Sequence, residues 1–184
     1  MANAVPFVLA AEASEKGTLR AHVAKANLHW QEFIGDGCDC LVVFQGPQAY
    51  VTPSWYPSKE QTGKVVPTWN YAMVQVRGRC IAREGSAWLR PQVEALTVQH
   101  EAQRRVPWNV SDAPEDFVAQ QLRAIVGIEI VIAAIEGKWK VSQNRNEADK
   151  RGVHAGFLGA GETQAAMTAL VAERGGLNPA GESG

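Results

Sequence analysis

Three stretches gather cations, hydroxyls and aromatic rings more densely than the rest of this 184-residue chain. Residues 20–27 (RAHVAKAN) set Arg20, His22 and Lys25 near the end of an alternating run, where cations can meet an anion such as a phosphate. A solvated basic edge would look the same. Residues 46–59 (GPQAYVTPSWYPSK) hold Tyr50, Ser54, Trp55, Tyr56 and Lys59 in a segment stiffened by proline. Rings on a rigid loop can stack a flat ligand, and they can equally close over a core. Residues 66–71 (VPTWNY) put Thr68 and Asn70 on either side of Trp69, short polar groups around one large plate, which also suits a core plug. Together the three stretches describe a site for a planar ring carrying a phosphate.

Other chemistries lose ground on sequence alone. No strand is followed by G-x-G-x-x-G, and neither a P-loop, an H-E-x-x-H nor a G-x-S-x-G motif occurs. His22, His29, His100 and His154 are scattered, and Cys38 and Cys40 form a C-x-C without a second pair of ligands, so no metal site is expected. Cys38, Cys40 and Cys80 read as reduced structural thiols. A net charge of -1 gives no global pull toward nucleic acid or an anionic membrane. The most apolar stretch, residues 125–135, is too short to span a bilayer and contains Glu129, while the apolar run near the N-terminus lacks the basic residues of a secretory signal. A cytoplasmic protein is expected, and with 46% hydrophobic and 20% charged residues it has the composition of a folded globular domain.

The elements that would carry these groups follow from periodicity. Residues 3–10 and 18–24 read as a strand pair, and 28–33 have helical spacing before a stop at Gly35 and Gly37. Residues 40–44 form a strand, Gly46-Pro47 a turn, and 49–52 a short strand. Residues 69–82 make the longest strand pattern, with Gly78 as a bend. A helix is expected from Ser86, as N-cap, toward His100. A second should open on a capping box of Asp112 and Glu115. Residues 129–135 and 138–142 suggest a hairpin turned at Gly137, and an Ala-rich helical region follows from Asn146, broken at residues 159–161. Residues 175–184 read as a frayed tail. Strands first and helices later give an α+β fold with an antiparallel sheet.

On these segments the chain resembles the PaiB-type, FMN-binding "negative transcriptional regulator" family. The matching stretches are LRAHVAKAN (19–27), VVFQGPQAYVTPSWYPSK (42–59), VPTWNYAMVQVRG (66–78), AIVGIEI (124–130) and KWKVSQNR (138–145). The resemblance implies an antiparallel split β-barrel with peripheral helices, related to pyridoxamine phosphate oxidase and flavin reductase-like proteins, that forms a homodimer and holds FMN near the subunit interface. It implies His22 and Lys25 near the FMN phosphate, with Arg20 and Asn27 assisting, and Ser54, Trp55, Tyr56, Thr68, Trp69 and Asn70 along the flavin. Gln143 and Arg145 would reach the site or the interface, or else cap the following helix. Residues 1–160 would form the barrel domain and 161–184 a helical extension and tail.

The chain departs from the family pattern at its start. The helix and first strand that usually precede the segment matching residues 2–10 do not appear in this sequence, which implies either a natural start further upstream or an edge left open or covered by a partner chain. The family label makes DNA a partner, yet the sequence has no helix-turn-helix signature and no basic helix. An FMN-dependent oxidoreductase is the alternative function, and a haem-handling split barrel is a third.

Overall fold

A computed structural model describes residues 3–177. Five strands form one sheet in the order β1-β2-β5-β4-β3, with β1 (Val8–Ala10) and β3 (Cys38–Val51) at its edges. Between them lie β2 (Thr18–Ala24), β5 (Ile125–Lys140) and β4 (Thr68–Arg83). The expected α+β architecture with an antiparallel sheet and peripheral helices is present, and the sheet is open rather than closed into a barrel.

Two compact units make up the chain, one from residues up to Val42 with Val76–Ile135, the other from Val43–Gln75 with residues from Glu136 onward. In the first, β2 pairs antiparallel with β5, Ala21 opposite Ile128 and His22 opposite Gly127. Helix α2 (Ser86–Glu101) packs beside β2 because Gly127 leaves room for it: a Cβ there would stand 2.2 Å from the Trp88 ring. Leu89 of α2 and Val118 and Leu122 of α3 (Glu115–Arg123) join Val110 in a small core that Trp88, Val93 and Ile125 extend.

The second unit is built on α4 (Glu147–Gly159) and α5 (Ala165–Gly175), with the short α1 (Ser58–Thr62). Its core joins Val51 of β3 and Tyr56 to Val153 and Phe157 of α4 and Met167 and Val171 of α5. Asn146 caps α4 as expected, its side chain accepting from the Asp149 N–H at 2.8 Å. The break between α4 and α5 also falls where the glycines of residues 159–161 place it.

Four local expectations need correction. Residues 38–51 are one strand, not two joined by a Gly46-Pro47 turn; an edge strand tolerates a proline because one side of its backbone needs no ladder partner. Residues 125–140 are likewise one strand with no hairpin at Gly137. A two-residue hairpin turn would want a positive φ there, and Gly137 has none; it serves instead to admit the Trp139 ring, which a Cβ would meet at 2.6 Å. Gly85, not Ser86, caps α2. Asp112 closes a capping box with Asn109 upstream, accepting from the Asn109 N–H at 2.8 Å, and Pro114 opens α3. Residues 178–184 of the expected tail lie outside the described residues.

Candidate functional site

In the second unit a cavity of about 430 Å³ opens between the start of β4, the end of β5 and the turn that follows it. Thr68 and Asn70 line it from β4, Lys138, Trp139 and Lys140 from β5, and Ser142 to Arg145 from the turn. The turn is held in a demanding shape. Ser142 takes a left-handed φ of 63°, alone among the described non-glycine residues. The Gln143 side chain closes the turn, accepting from the Val141 N–H at 2.7 Å and donating to the Trp139 carbonyl at 2.6 Å. Fully buried Asn70 anchors Ser142 through its amide.

The electrostatics of this cavity are one-sided. Three cations line it and no carboxylate does. Lys140 donates to the Thr68 hydroxyl at 2.8 Å, the Lys138 ammonium stands 5.8 Å from the centroid of the Tyr71 ring, and the Arg145 guanidinium 4.6 Å from that of Tyr56. Among the described residues none of the three forms an ion pair with an acid. Tyr56 itself is buried; burial pushes the phenol pKa up, against the pull of the charge and hydrogen-bonding of Arg145. Trp139 offers a ring whose companion is Arg174, 4.8 Å from its centroid.

The expected site residues divide between the two units. Of the set expected along a flat ligand, Thr68 and Asn70 line the cavity. Trp69 is exposed and donates from its indole nitrogen to Gln48 at 3.1 Å. Trp55 packs edge-on against Phe157, ring centroids 4.9 Å apart, and Ser54 closes the turn that carries it by donating its N–H to Thr52. In the first unit Arg20 donates to Glu129 at 3.1 Å, the His22 ring bonds Gln92 at 2.8 Å, and Lys25 pairs with Glu84 at 3.3 Å. Asn27 caps the turn at residues 28–33 and donates to Asn3. Lys25 also lines a second hollow of about 500 Å³ at the start of α2, with Arg90, Arg123 and Glu115; there Arg90 is bound to Glu115.

Residues 1–134 match the profile of a family described as "Putative FMN-binding domain". The chain belongs to this family. FMN is thus its cofactor. Among relatives, an uncharacterized protein of Emericella nidulans is 39% identical over 93% of this chain and 80% of its own length. The "Protease synthase and sporulation protein PAI 2" of Bacillus subtilis is 36% identical over 71% of this chain and 60% of its own length, which places the chain with the PaiB-type members. A solved flavocytochrome, Anf3 of Azotobacter vinelandii, aligns at a TM-score of 0.42 and 15% identity over 69% of this chain and 52% of that one.

The residues present fit FMN. A phosphate dianion needs several cations or charge-assisted donors, and the cavity supplies Lys138, Lys140 and Arg145 without a competing acid. Its volume lies inside the range of about 300–1,000 Å³ usual for small-ligand pockets. Lys138, Trp139 and Lys140 line this cavity and were not singled out by residue-by-residue reading. Their signal was present in the KWKVSQNR stretch, but alternating Lys and Trp in a strand look the same as a solvated strand end.

Proposed function

We propose that the protein is a PaiB-type flavoprotein that holds FMN with its phosphate end on Lys138, Lys140 and Arg145, and that Thr68, Asn70 and Trp139 bound the rest of the cofactor. The observation that carries this reading is the charge of the cavity: three cations, no carboxylate, and neutral partners for each cation. FMN supplies redox chemistry through its ring when bound. The chain's own contribution is to fix the phosphate by charge and to hold the turn that presents Arg145 through the Asn70–Ser142 contact.

We infer further that any regulatory role runs through a protein or redox partner rather than through DNA readout. None of the helices α1 to α5 carries an excess of basic residues large enough to mark a recognition helix, and the net charge is -1. The second copy expected of a homodimer would cover the β3 edge, where Leu41, Val43 and Tyr50 are exposed. No helix among the described residues is long and apolar enough to cross a membrane. A cytoplasmic setting is proposed from the three free cysteines, which a reducing compartment preserves.

Paired titration of FMN and riboflavin tests the site. Lys140→Ala should lower FMN affinity about tenfold to a hundredfold, the equivalent of roughly 1.5–3 kcal/mol for a hydrogen bond to a charged group, and leave riboflavin affinity unchanged. Equal losses for both ligands would sink the assignment. A loss confined to Lys25→Ala would move the phosphate to the β2 set of Arg20, His22, Lys25 and Asn27. Bleaching of the bound flavin by NAD(P)H would favour the oxidoreductase alternative over the regulatory one.

A further inference from the structure

Between α4 and α5 the second unit has a groove of about 800 Å³. It shares no lining residue with the cation-lined cavity, and its lining, within residues 154–177, lies beyond the stretch that the family profile matches. On α5 the wall is Ala165, Ala169 and Ala172, spaced i, i+4 and i+7 and therefore on one helix face. On α4 it is His154 and Leu158, one turn apart on one face. Three methyl groups thus stand where longer side chains would fill the space. The buried part of the lining is apolar in effect: Leu177 has no polar side-chain atom, and the Thr168 hydroxyl already donates to the Gln164 carbonyl at 2.9 Å. Leu158, by contrast, is 67% exposed, an apolar side chain that the fold leaves uncovered.

The charge of this groove is opposite in sign to that of the cavity at β4 and β5. Glu162 and Glu173 line it, and no lysine or arginine does. Glu173 has a partner in Arg174, 3.5 Å away. Glu162 forms no ion pair among the described residues. It follows Gly161, where an added Cβ would meet nothing within 4 Å, so the groove is open to solutes beside Glu162. His154 adds a ring nitrogen to the lining. The volume is that of a small-molecule site, about 300–1,000 Å³, and such sites are mostly apolar with a few polar groups that fix orientation. A complementary ligand has an apolar body and one positive charge. An anion of the same shape meets two carboxylates and is rejected.

We propose that the α4–α5 groove binds an organic amine, an alkyl or arylalkyl ammonium ion, with its ammonium on Glu162 and its apolar body along Ala165, Ala169 and Ala172 against Leu158. The two parts of the ligand do different work. Burial of the apolar body supplies most of the affinity, whereas the ion pair, open to solvent at Glu162, is weak and supplies selectivity. Glu162 is the anchor rather than Glu173 because Glu173 already has Arg174 beside it. The groove is independent of where FMN is held, since none of its lining residues takes part in the cation-lined cavity.

Isothermal titration calorimetry of the FMN-loaded full chain, free of excess cofactor, tests this with three probes that share one apolar chain: octylammonium, octan-1-ol and octanoate. Octylammonium should bind one to one and about fivefold or more tighter than octan-1-ol, with octanoate the weakest. Glu162→Gln should bring octylammonium down to the affinity of octan-1-ol and leave octan-1-ol itself unchanged. Ala169→Leu replaces an exposed alanine by another good helix former and fills the groove; it should weaken all three probes at least tenfold while the melting temperature and FMN affinity stay at parental values. Three outcomes would overturn the proposal: octylammonium no tighter than octan-1-ol in the parent, parental affinity in Ala169→Leu, or a preference for octylammonium that survives Glu162→Gln. Binding that appears only when a dimer dissociates, or only after residues 178–184 are removed, would overturn it too, by giving the groove to a second copy or to the chain's own tail.

Discussion

Asn70 and Ser142 hold each other by both ends of one amide: the Asn70 nitrogen donates to the Ser142 hydroxyl at 3.1 Å, and that hydroxyl donates to the Asn70 oxygen at 3.2 Å. The contact ties fully buried Asn70 of β4 to a left-handed serine at the mouth of the cation-lined cavity.

Two substitutions of Ser142 separate the contact from the backbone conformation. Both Ser142→Ala and Ser142→Gly orphan the buried amide, which costs about 1–3 kcal/mol. Only alanine keeps the steric cost of the left-handed region, roughly 1–2 kcal/mol for a residue with a Cβ. Ser142→Gly should therefore be the more stable of the two by about 1 kcal/mol in urea denaturation. Equal stabilities would show that the φ of 63° is not a source of strain.

Gly152 sets helix propensity against packing. Alanine in a helix interior gains about 1 kcal/mol over glycine. At Gly152 of α4, however, a Cβ would stand 2.0 Å from the Trp55 carbonyl oxygen, a backbone atom that cannot swing aside. Overpacking of this kind costs typically about 1–3 kcal/mol, so Gly152→Ala should lower the melting temperature. A rise would mean that the turn at residues 53–55 yields easily.

Glu129 gives the first unit a pH dependence with a definite sign. Burial alone would raise its carboxyl pKa, but Arg83 and Arg20 outweigh that and hold it below the usual value. A carboxylate with a depressed folded pKa contributes stability that is present above its unfolded pKa and lost as pH falls through the folded one. Glu129→Gln should accordingly destabilise at pH 7 by about 1–3 kcal/mol, the lower part being favoured because both arginines are more than a third exposed. The gap between variant and parent should narrow as pH falls below the usual carboxylate range. A gap that stays constant in acid would locate the effect in packing.

Legibility followed how local each determinant is. Alternation in residues 18–24 marked β2 with its observed bounds, and Asn146 marked the start of α4, because a strand face and an N-cap are written within a few residues. Gly46-Pro47 and Gly137 misled for one reason: turn chemistry and close approach both select glycine, and only the neighbouring strand or ring distinguishes them. The candidate site was half legible. Thr68 and Asn70 stood out as short polar groups around a tryptophan, whereas the charge of Lys138, Lys140 and Arg145 became informative only once β4 and β5 placed them around one cavity without an acid.

The open sheet leads to a last prediction. β3 is an edge, and edge strands ordinarily guard themselves with charge, proline or cover. This one carries Asp39 as its sole charged residue and Pro47 as its sole proline, while Leu41 and Val43 are each 47% exposed and Tyr50 is 52% exposed. Side chains of that kind on an unpaired edge suit a second copy of the same chain, since a two-fold interface brings the same strand from both protomers. The protein should therefore sediment as a dimer at micromolar concentration. Val43→Lys places a charge in the middle of the strand and should weaken the dimer at least tenfold, about 1.4 kcal/mol or more, as a charge buried in an interface does. Because Val43 is exposed in the isolated chain, the melting temperature extrapolated to low protein concentration should stay near that of the parent. A parent that sediments as a monomer, or a Val43→Lys dimer of undiminished affinity, would remove β3 from the interface.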